Sequence, residues 1–373
     1  MIRISVIIVN YNARYFLKNC LCSILSSDIA SEIEIIVVDN NSKDGSCDML
    51  DKDFPAIKYI RNSINVGFGK ANNQGVALAQ GDYILILNPD TMLTETTLSE
   101  ILRFSEEQNN FGAAGVQFMD GSGKYLPESK RNFPDLKVAG AKLLGYSKYY
   151  YANHIGKDEI AEIDILTGAF MFIKKTVYDK IGGFDEDFFM YGEDIDLSYR
   201  ITKAGFKNFY VGSNKVLHFK GESTIKDKFY LENFYGALSI FHKKHFPNRA
   251  GLYGIVQGLI SMMISLKSMI RPKETKTFSV ITNWVYAGND ESVFDLLKKK
   301  FSDTQGFLMN EVEEHHINQE IIFFDSISQK YGEIIHEMQQ PGLAETRKRI
   351  IAQDGSFYLG SDSSNERGEV VPL

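Results

Sequence analysis

The chain is 373 residues long, enough for one large buried core and a second, smaller unit. With 44% hydrophobic and 24% charged residues it is ordinary globular material and not a disordered chain, and a net charge of −7 argues against a nucleic-acid binder, which carries a basic excess. Cys20, Cys22 and Cys47 are an odd number without zinc-site spacing, so a reduced, cytosolic compartment is the simplest expectation, and Met1–Asn10 runs directly into a strand with no signal-peptide pattern.

Ile4–Val9 is a continuous apolar, β-branched run, as a strand buried on both faces should be. Leu17, Leu21, Ile24 and Leu25 then recur at helical spacing. Glu34–Val38 reads as the next strand, with Asp39 at its carboxyl end, and Asn40–Ser46 is a turn cluster leading into a short helix. Next come Ile57–Arg61, the loop Asn65-Val66-Gly67-Phe68-Gly69, a helix over Lys70–Ala79 and a strand over Tyr83–Leu87. This alternation predicts an α/β fold with a mostly parallel sheet and right-handed crossovers. In such sheets ligands bind beyond the carboxyl ends of the strands, where Asn10-Tyr11-Asn12, Asp39, Asn65–Gly69 and Asn88–Asp90 all fall.

The first strand is followed by Asn10-Tyr11-Asn12-Ala13-Arg14, without the G-x-G-x-x-G of a dinucleotide fold, and no G-x-x-x-x-G-K-[ST] loop occurs. A diphosphate bound at these ends would need neutralising another way, and a divalent cation held by carboxylate is the economical choice. Asp90 supplies one carboxylate, and Glu193, Asp194 and Asp196 open an amphipathic helix behind a Gly- and aromatic-rich loop. A lone carboxylate and a separate cluster suit a metal-bound diphosphate beside a general base. Simpler explanations exist for each: acidic residues are favoured in a helix's first turn, and Asn-Pro-Asp makes a strand-end turn.

Leu252–Ile270 is mostly apolar, with Lys267 its only charge and basic residues on both flanks, Lys243 and Lys244 before it and Arg271 and Lys273 after it. Its serines and Gln257 make it poor for a full span, which wants roughly 20 predominantly apolar residues. Two readings stay open, a helix lying in the headgroup region of an anionic membrane and a domain-packing helix. The last hundred residues repeat a βα rhythm: a strand over Lys276–Ala287, a helix over Glu291–Phe301, a strand over Glu320–Phe324, a helix near Ser328–Met338 and a strand over Arg349–Ala352. The expected organisation is therefore a main domain over 1–250, the apolar helix over 251–273, a small Rossmann-like α/β unit over 274–365 serving docking or homo-oligomerisation, and a frayed tail over 366–373.

The motifs SVIIVNYN, VVDNNSKDGS, NVGFGKANNQG, LNPDT, TGAFMFIKK…GGFDEDFFMYGEDIDLSYR and VLHFKGEST, in this order, resemble family 2 glycosyltransferases, most nearly the bacterial cell-surface rhamnosyltransferase-like enzymes. The resemblance covers about residues 1–250. It implies a GT-A fold and an inverting, metal-dependent transfer from a nucleotide diphosphate sugar, with dTDP-rhamnose the leading donor. The implied acceptor is a glycan or polyprenyl-linked saccharide at the inner face of the cell membrane.

Carried over residue by residue, Asn10, Tyr11, Asn12, Asp39, Asn65, Gly67 and Asn88 would line the nucleotide pocket, with turn capping the alternative for Asp39. Asn88 stands where the family's Asp-x-Asp signature has its first aspartate, which leaves Asp90 to meet Mg²⁺ or Mn²⁺. His218 is the expected second ligand, and imidazole suits Mn²⁺ better. Asp194 would be the general base, with Glu193 the fallback. Gly168, Ala169, Tyr191, Asp196 and Arg131 would serve the sugar and acceptor, Arg131 by contacting an acceptor phosphate. The competing readings are a UDP-hexose or UDP-N-acetylhexosamine transferase and a catalytically silent sugar-nucleotide-binding membrane scaffold. A nucleotidyltransferase ranks below both, because Asn10–Tyr15 has no glycine.

Overall fold

A computed structural model describes residues 1–134, 138, 147–219, 228–247, 258, 282–309, 320–364 and 368–373. Helix Leu252–Ile270, the Lys220–Ser223 end of the last motif and the first half of the strand expected over Lys276–Ala287 lie outside the described residues, apart from position 258. Among the described residues no helix is long and apolar enough to cross a membrane.

The first sheet runs in the order β3 (Lys58–Arg61), β2 (Ile33–Asp39), β1 (Ile4–Asn10), β4 (Tyr83–Leu87), β8 (Phe170–Lys174), β6 (Phe111–Met119), β9 (Lys207–His218) and β5 (Thr91–Met92), with β7 (Ile160–Glu162) also on β9. The first four strands are parallel, as the alternation predicts, and β8 reverses the direction next to β4. Helices cover both faces, which is why β1, Ser5 apart, and β4 read as near-continuous apolar runs rather than alternating ones. Ile4, Val6 and Ile8 point to the face covered by α1 (Arg14–Leu25), α2 (Ser46–Asp53) and α4 (Thr97–Glu107). Ile7 points to the other, under α3 (Phe68–Val76), α5 (Lys175–Ile181) and α6 (Glu193–Lys203).

Two registers place the site. Asn10 pairs with Asp39 at the ends of β1 and β2, and Thr91 pairs with His218 where β5 meets β9. The second of these brings Asp90 beside His218 from distant parts of the chain.

A second sheet has the order β11 (Gln305–Leu308), β10 (Asn283–Tyr286), β12 (Ile321–Asp325), β13 (Arg347–Ile351), β14 (Phe357–Gly360) and β15 (Glu369–Pro372), with α8 (Glu291–Lys300) and α9 (Tyr331–Met338). Its first four strands are parallel, as the βα rhythm implies. The expectation of a frayed tail is corrected here. Glu369–Pro372 pairs antiparallel with β14, and Glu369 holds the buried guanidinium of Arg349 at 2.9 Å, so ladder bonds and a charge pair order the segment.

This second unit docks on the first within the same chain. Phe16, Met92, Leu217 and Phe219 share one apolar cluster with Ile322, Phe324, Ile334 and Leu359. Lys18 reaches Asp354 at 2.6 Å, and both carboxylate oxygens of Glu95 accept the amides of Tyr331 and Gly332, at 2.7 and 3.1 Å, in the first turn of α9. Gly123, at φ 84°, lets the chain pass so close to Met338 that a β-carbon would lie 2.2 Å from its carbonyl.

Candidate active site

At the ends of β1 and β2 the polar residues first serve the turns. Asn10 Nδ2 donates to Asp39 Oδ2 (3.0 Å) and to Ser42 Oγ (3.1 Å), while Asp39 Oδ1 accepts the Ser42 amide (2.9 Å). Asn10 and Asp39 are both fully buried. The capping alternative for Asp39 is thus what the structure displays, and the expectation that its carboxylate faces a base or ribose is corrected: the turn has claimed both oxygens. Asn12, at φ 54°, accepts the Lys43 amide through its side chain. Tyr11, 38% exposed, stands at the surface beside this turn with its ring available for stacking.

Asn65 accepts from Asn40 Nδ2 (3.1 Å) and from the Gly67 amide (3.0 Å), which shapes the next loop. Asn40, read from sequence only as part of a turn, is a residue the motifs do not single out. Buried, it also donates to the Gly67 carbonyl (3.2 Å) and receives Asn62. The available signal is the doubled asparagine after Asp39.

Gly67 sits at φ 91° against the acceptor-side loop, and Phe68 N donates to the Phe189 carbonyl at 2.9 Å. Asn73 clamps the start of that loop, donating to the Phe184 carbonyl (2.9 Å) and accepting the Phe184 amide (3.0 Å). Tyr191 ends the loop at φ 72°, a left-handed conformation unusual for an aromatic residue. Within the loop Phe188 is buried and Phe189 exposed, so its aromatic residues divide between core and surface.

Asp90 and His218 are both buried, with Oδ1 and Nε2 3.4 Å apart. Among the described residues Asp90 Oδ1 and His218 Nδ1 have no hydrogen-bond partner. Buried polar atoms left this way are costly, which makes the pair a fit for a cation. Among the described residues no cluster of three or more metal-ligating side chains occurs. Asn88 is half-buried beside them, and its amide donates to the Ala169 carbonyl at 3.0 Å.

The residue before Ala169 in turn meets Asp194. The Gly168 amide donates to Asp194 Oδ2 at 3.1 Å, and Asp194 Oδ1 accepts the Ile195 amide at 2.8 Å. Its neighbour Glu193 is buried, and burial first, then the charge of Asp194, push its carboxyl up to about 8. Two expected acceptor residues are corrected. Arg131 does not face outward toward a phosphate: it is buried, and Nη2 lies 2.6 Å from Asp194 Oδ2. Asp196 is fully buried between Arg200 and His245, each 2.6 Å away, and so ties α6 to α7 (Lys228–His245) instead of meeting an acceptor.

Comparison with known proteins bears on this arrangement. Residues 5–182 match the model of glycosyl transferase family 2, and residues 161–223 match that described as the N-terminal domain of galactosyltransferase. The N-acetylglucosaminyl-diphospho-decaprenol L-rhamnosyltransferase of Mycobacterium tuberculosis is 28% identical over 243 residues, covering 60% of this chain and 78% of that protein. Rhamnosyltransferase WbbL of Escherichia coli is 29% identical over 228 residues, covering 58% of this chain and 83% of its own. Among solved structures, the mannosyltransferase PcManGT of Pyrobaculum calidifontis, in complex with GDP-Man and Mn²⁺, is 15% identical with a TM-score of 0.48, covering 73% of this chain and 76% of that one. Residues 5–182 thus carry a glycosyl transferase family 2 domain, and the second match and the rhamnosyltransferase relatives extend the similarity to glycosyltransferases past Asp194 and His218.

Proposed function

We propose that the chain is an inverting glycosyltransferase that moves a sugar, with rhamnose from dTDP-rhamnose as the leading choice, onto a polyprenyl-diphosphate-linked saccharide at the inner face of a bacterial membrane. The donor and acceptor classes are supported by the names of the two rhamnosyltransferase relatives. The observation that carries the reading is that the Asn88 amide, two residues before Asp90, donates to the Ala169 carbonyl while the adjoining Gly168 amide donates to Asp194, so the buried Asp90–His218 pair and the Asp194 carboxylate flank one stretch of backbone.

Asp90 and His218 would hold Mn²⁺ or Mg²⁺, which offsets the charge of the diphosphate when bound. Asn88 lines the nucleotide side, with Asn10, Asn12, Asn65 and Gly67 forming the floor, Asp39 holding the turn beneath it, and Tyr11 the stacking face. Asp194 takes the proton of the acceptor hydroxyl as that oxygen attacks the anomeric carbon. The bond from that carbon to the diphosphate breaks on the opposite face, and its electron pair leaves with the nucleotide. Gly168 and Ala169 allow the sugar to approach the backbone, and Tyr191 borders the acceptor.

The test is calorimetry of dTDP, UDP and GDP, each with and without Mn²⁺, on wild type and Asp90→Ala. A second stage measures transfer from the matching sugar nucleotide to a short-chain polyprenyl-diphospho-N-acetylglucosamine. Metal- and Asp90-dependent binding of dTDP, and transfer lost in Asp194→Asn but kept in Glu193→Gln, are expected. Preference for UDP would move the donor to a hexose or N-acetylhexosamine. No nucleotide binding by folded protein, or transfer undiminished in Asp194→Asn, would overturn the reading.

A further inference from the structure

We infer that Arg131 is a positioning residue for the transfer step, holding one oxygen of Asp194 so that the other receives the acceptor proton. The inference rests on Asp194 being the base. Oδ2 of Asp194 already accepts two hydrogen bonds, from Arg131 Nη2 at 2.6 Å and from the Gly168 amide at 3.1 Å. A carboxylate oxygen has two lone-pair directions, and both are spent there. Oδ1 accepts only the amide of the next residue, Ile195, at 2.8 Å among the described residues, and keeps one direction open. The proton leaving the acceptor hydroxyl therefore goes to Oδ1, and its oxygen keeps the electron pair that forms the bond to the anomeric carbon.

Arg131 is itself fixed. Its Nη1 donates to the Tyr150 hydroxyl at 3.2 Å, Nη2 also donates to the Leu166 carbonyl, and its own carbonyl accepts the Ile165 amide at 3.2 Å. A guanidinium gripped on several sides acts as a rigid fork, which a lysine ammonium on a flexible stem does not reproduce. Burial alone would favour losing its charge, but the carboxylate of Asp194 and the Tyr150 hydroxyl more than offset that and raise its pKa. The side chain stays cationic beside the base throughout a catalytic cycle.

The experiment uses the full chain, with dTDP-rhamnose and the short-chain polyprenyl-diphospho-N-acetylglucosamine, or UDP-glucose if UDP is the nucleotide bound. Wild type, Arg131→Ala, Arg131→Lys and Asp194→Asn are compared for kcat, for KM and for nucleotide Kd with Mn²⁺. Arg131→Ala is expected to lose about 100-fold in kcat, the scale of a misplaced reacting group, with nucleotide Kd unchanged. Arg131→Lys should fall between, and added guanidinium should restore part of the Arg131→Ala rate. Wild-type kcat in Arg131→Ala, with Asp194→Asn inactive, overturns this inference and leaves the base assignment standing. Loss of nucleotide binding or of folding in Arg131→Ala, without recovery by guanidinium, assigns the pair a purely structural role and overturns it too. Activity in Asp194→Asn removes the base, and the inference with it.

Discussion

Asp90 and His218 face each other across the short pairing of β5 with β9, Oδ1 to Nε2 at 3.4 Å, in a pocket where neither side chain is solvated. One oxygen and one ring nitrogen of this pair lack hydrogen-bond partners among the described residues. Two buried polar groups in that state are what carries the proposed metal role of the pair.

Replacing either partner should separate nucleotide binding from its metal dependence. Asp90→Ala and His218→Ala are each expected to weaken Mn²⁺-dependent nucleotide binding by at least about tenfold, or ~1.4 kcal/mol. Metal-free binding should change little. Calorimetry with Mn²⁺ and with chelator checks this; equal Mn²⁺ enhancement in both variants and wild type would exclude the pair as ligands.

Glu193 makes stability pH-dependent with a definite sign. The folded state holds its proton up to about 8, because burial and the neighbouring Asp194 oppose ionisation, whereas the unfolded chain releases it near the ordinary glutamate value of 4.5. Between those two pH values the unfolded state binds fewer protons, so stability falls as pH rises, with a slope approaching about 1.4 kcal/mol per pH unit, and levels off above the folded value. Glu193→Gln removes this contribution. Thermal melts should find the variant the more stable protein near pH 8, and the gap should close toward acid. A gap constant with pH would contradict the buried, protonated carboxyl.

Gly67 holds the donor-side loop against the acceptor-side loop. A β-carbon there would lie 2.6 Å from the Phe189 carbonyl, at a backbone angle of 91° that side-chain-bearing residues rarely adopt. Gly67→Ala should cost about 1–3 kcal/mol. It should also break the Phe68–Phe189 bond and raise the acceptor KM more than the donor KM. A variant with wild-type melting temperature and KM values would show that the two loops move independently.

Glu95 joins the two units. Its carboxylate receives two first-turn amides of α9, a charge-assisted cap on the positive end of the helix dipole. Glu95→Ala should destabilise this junction by about 1–2 kcal/mol. Hydrogen exchange should report the loss as reduced protection over Tyr331–Met338, with β1 and β4 unaffected. Unchanged protection of that helix would mean that the apolar cluster alone secures the second unit.

Much of the architecture is legible in the sequence because buried parallel strands leave a distinctive trace. Tyr83–Leu87 and, Ser5 apart, Ile4–Val9 are apolar, and each gives way to polar residues at the carboxyl end of the strand. Asp90, Asp194 and His218 are legible from motif spacing. Direction is not. Asp39 and Asp196 are the residue types a binding site needs, yet hydrogen-bond demand inside the fold turns both inward, one to a turn and the other to Arg200 and His245. The Arg131–Asp194 pair is invisible in the sequence because its members lie 63 positions apart and meet only once the chain beyond β6 packs against α6. Strand β15 escapes notice because four residues ending in proline carry almost no periodic signal; it forms because β14 offers an open edge and Arg349 a buried charge to cover.

The pairing of Thr91 with His218 also dictates when the protein becomes competent. During synthesis Asp90 leaves the ribosome with the early parallel strands, long before β9 exists to complete its partner. The strands that flank the pair then contribute Met92, Leu217 and Phe219 to an apolar cluster that is finished only by residues of the second unit, made later still. The pair therefore joins early and late parts of the chain, and its surroundings are complete only when the second unit has docked.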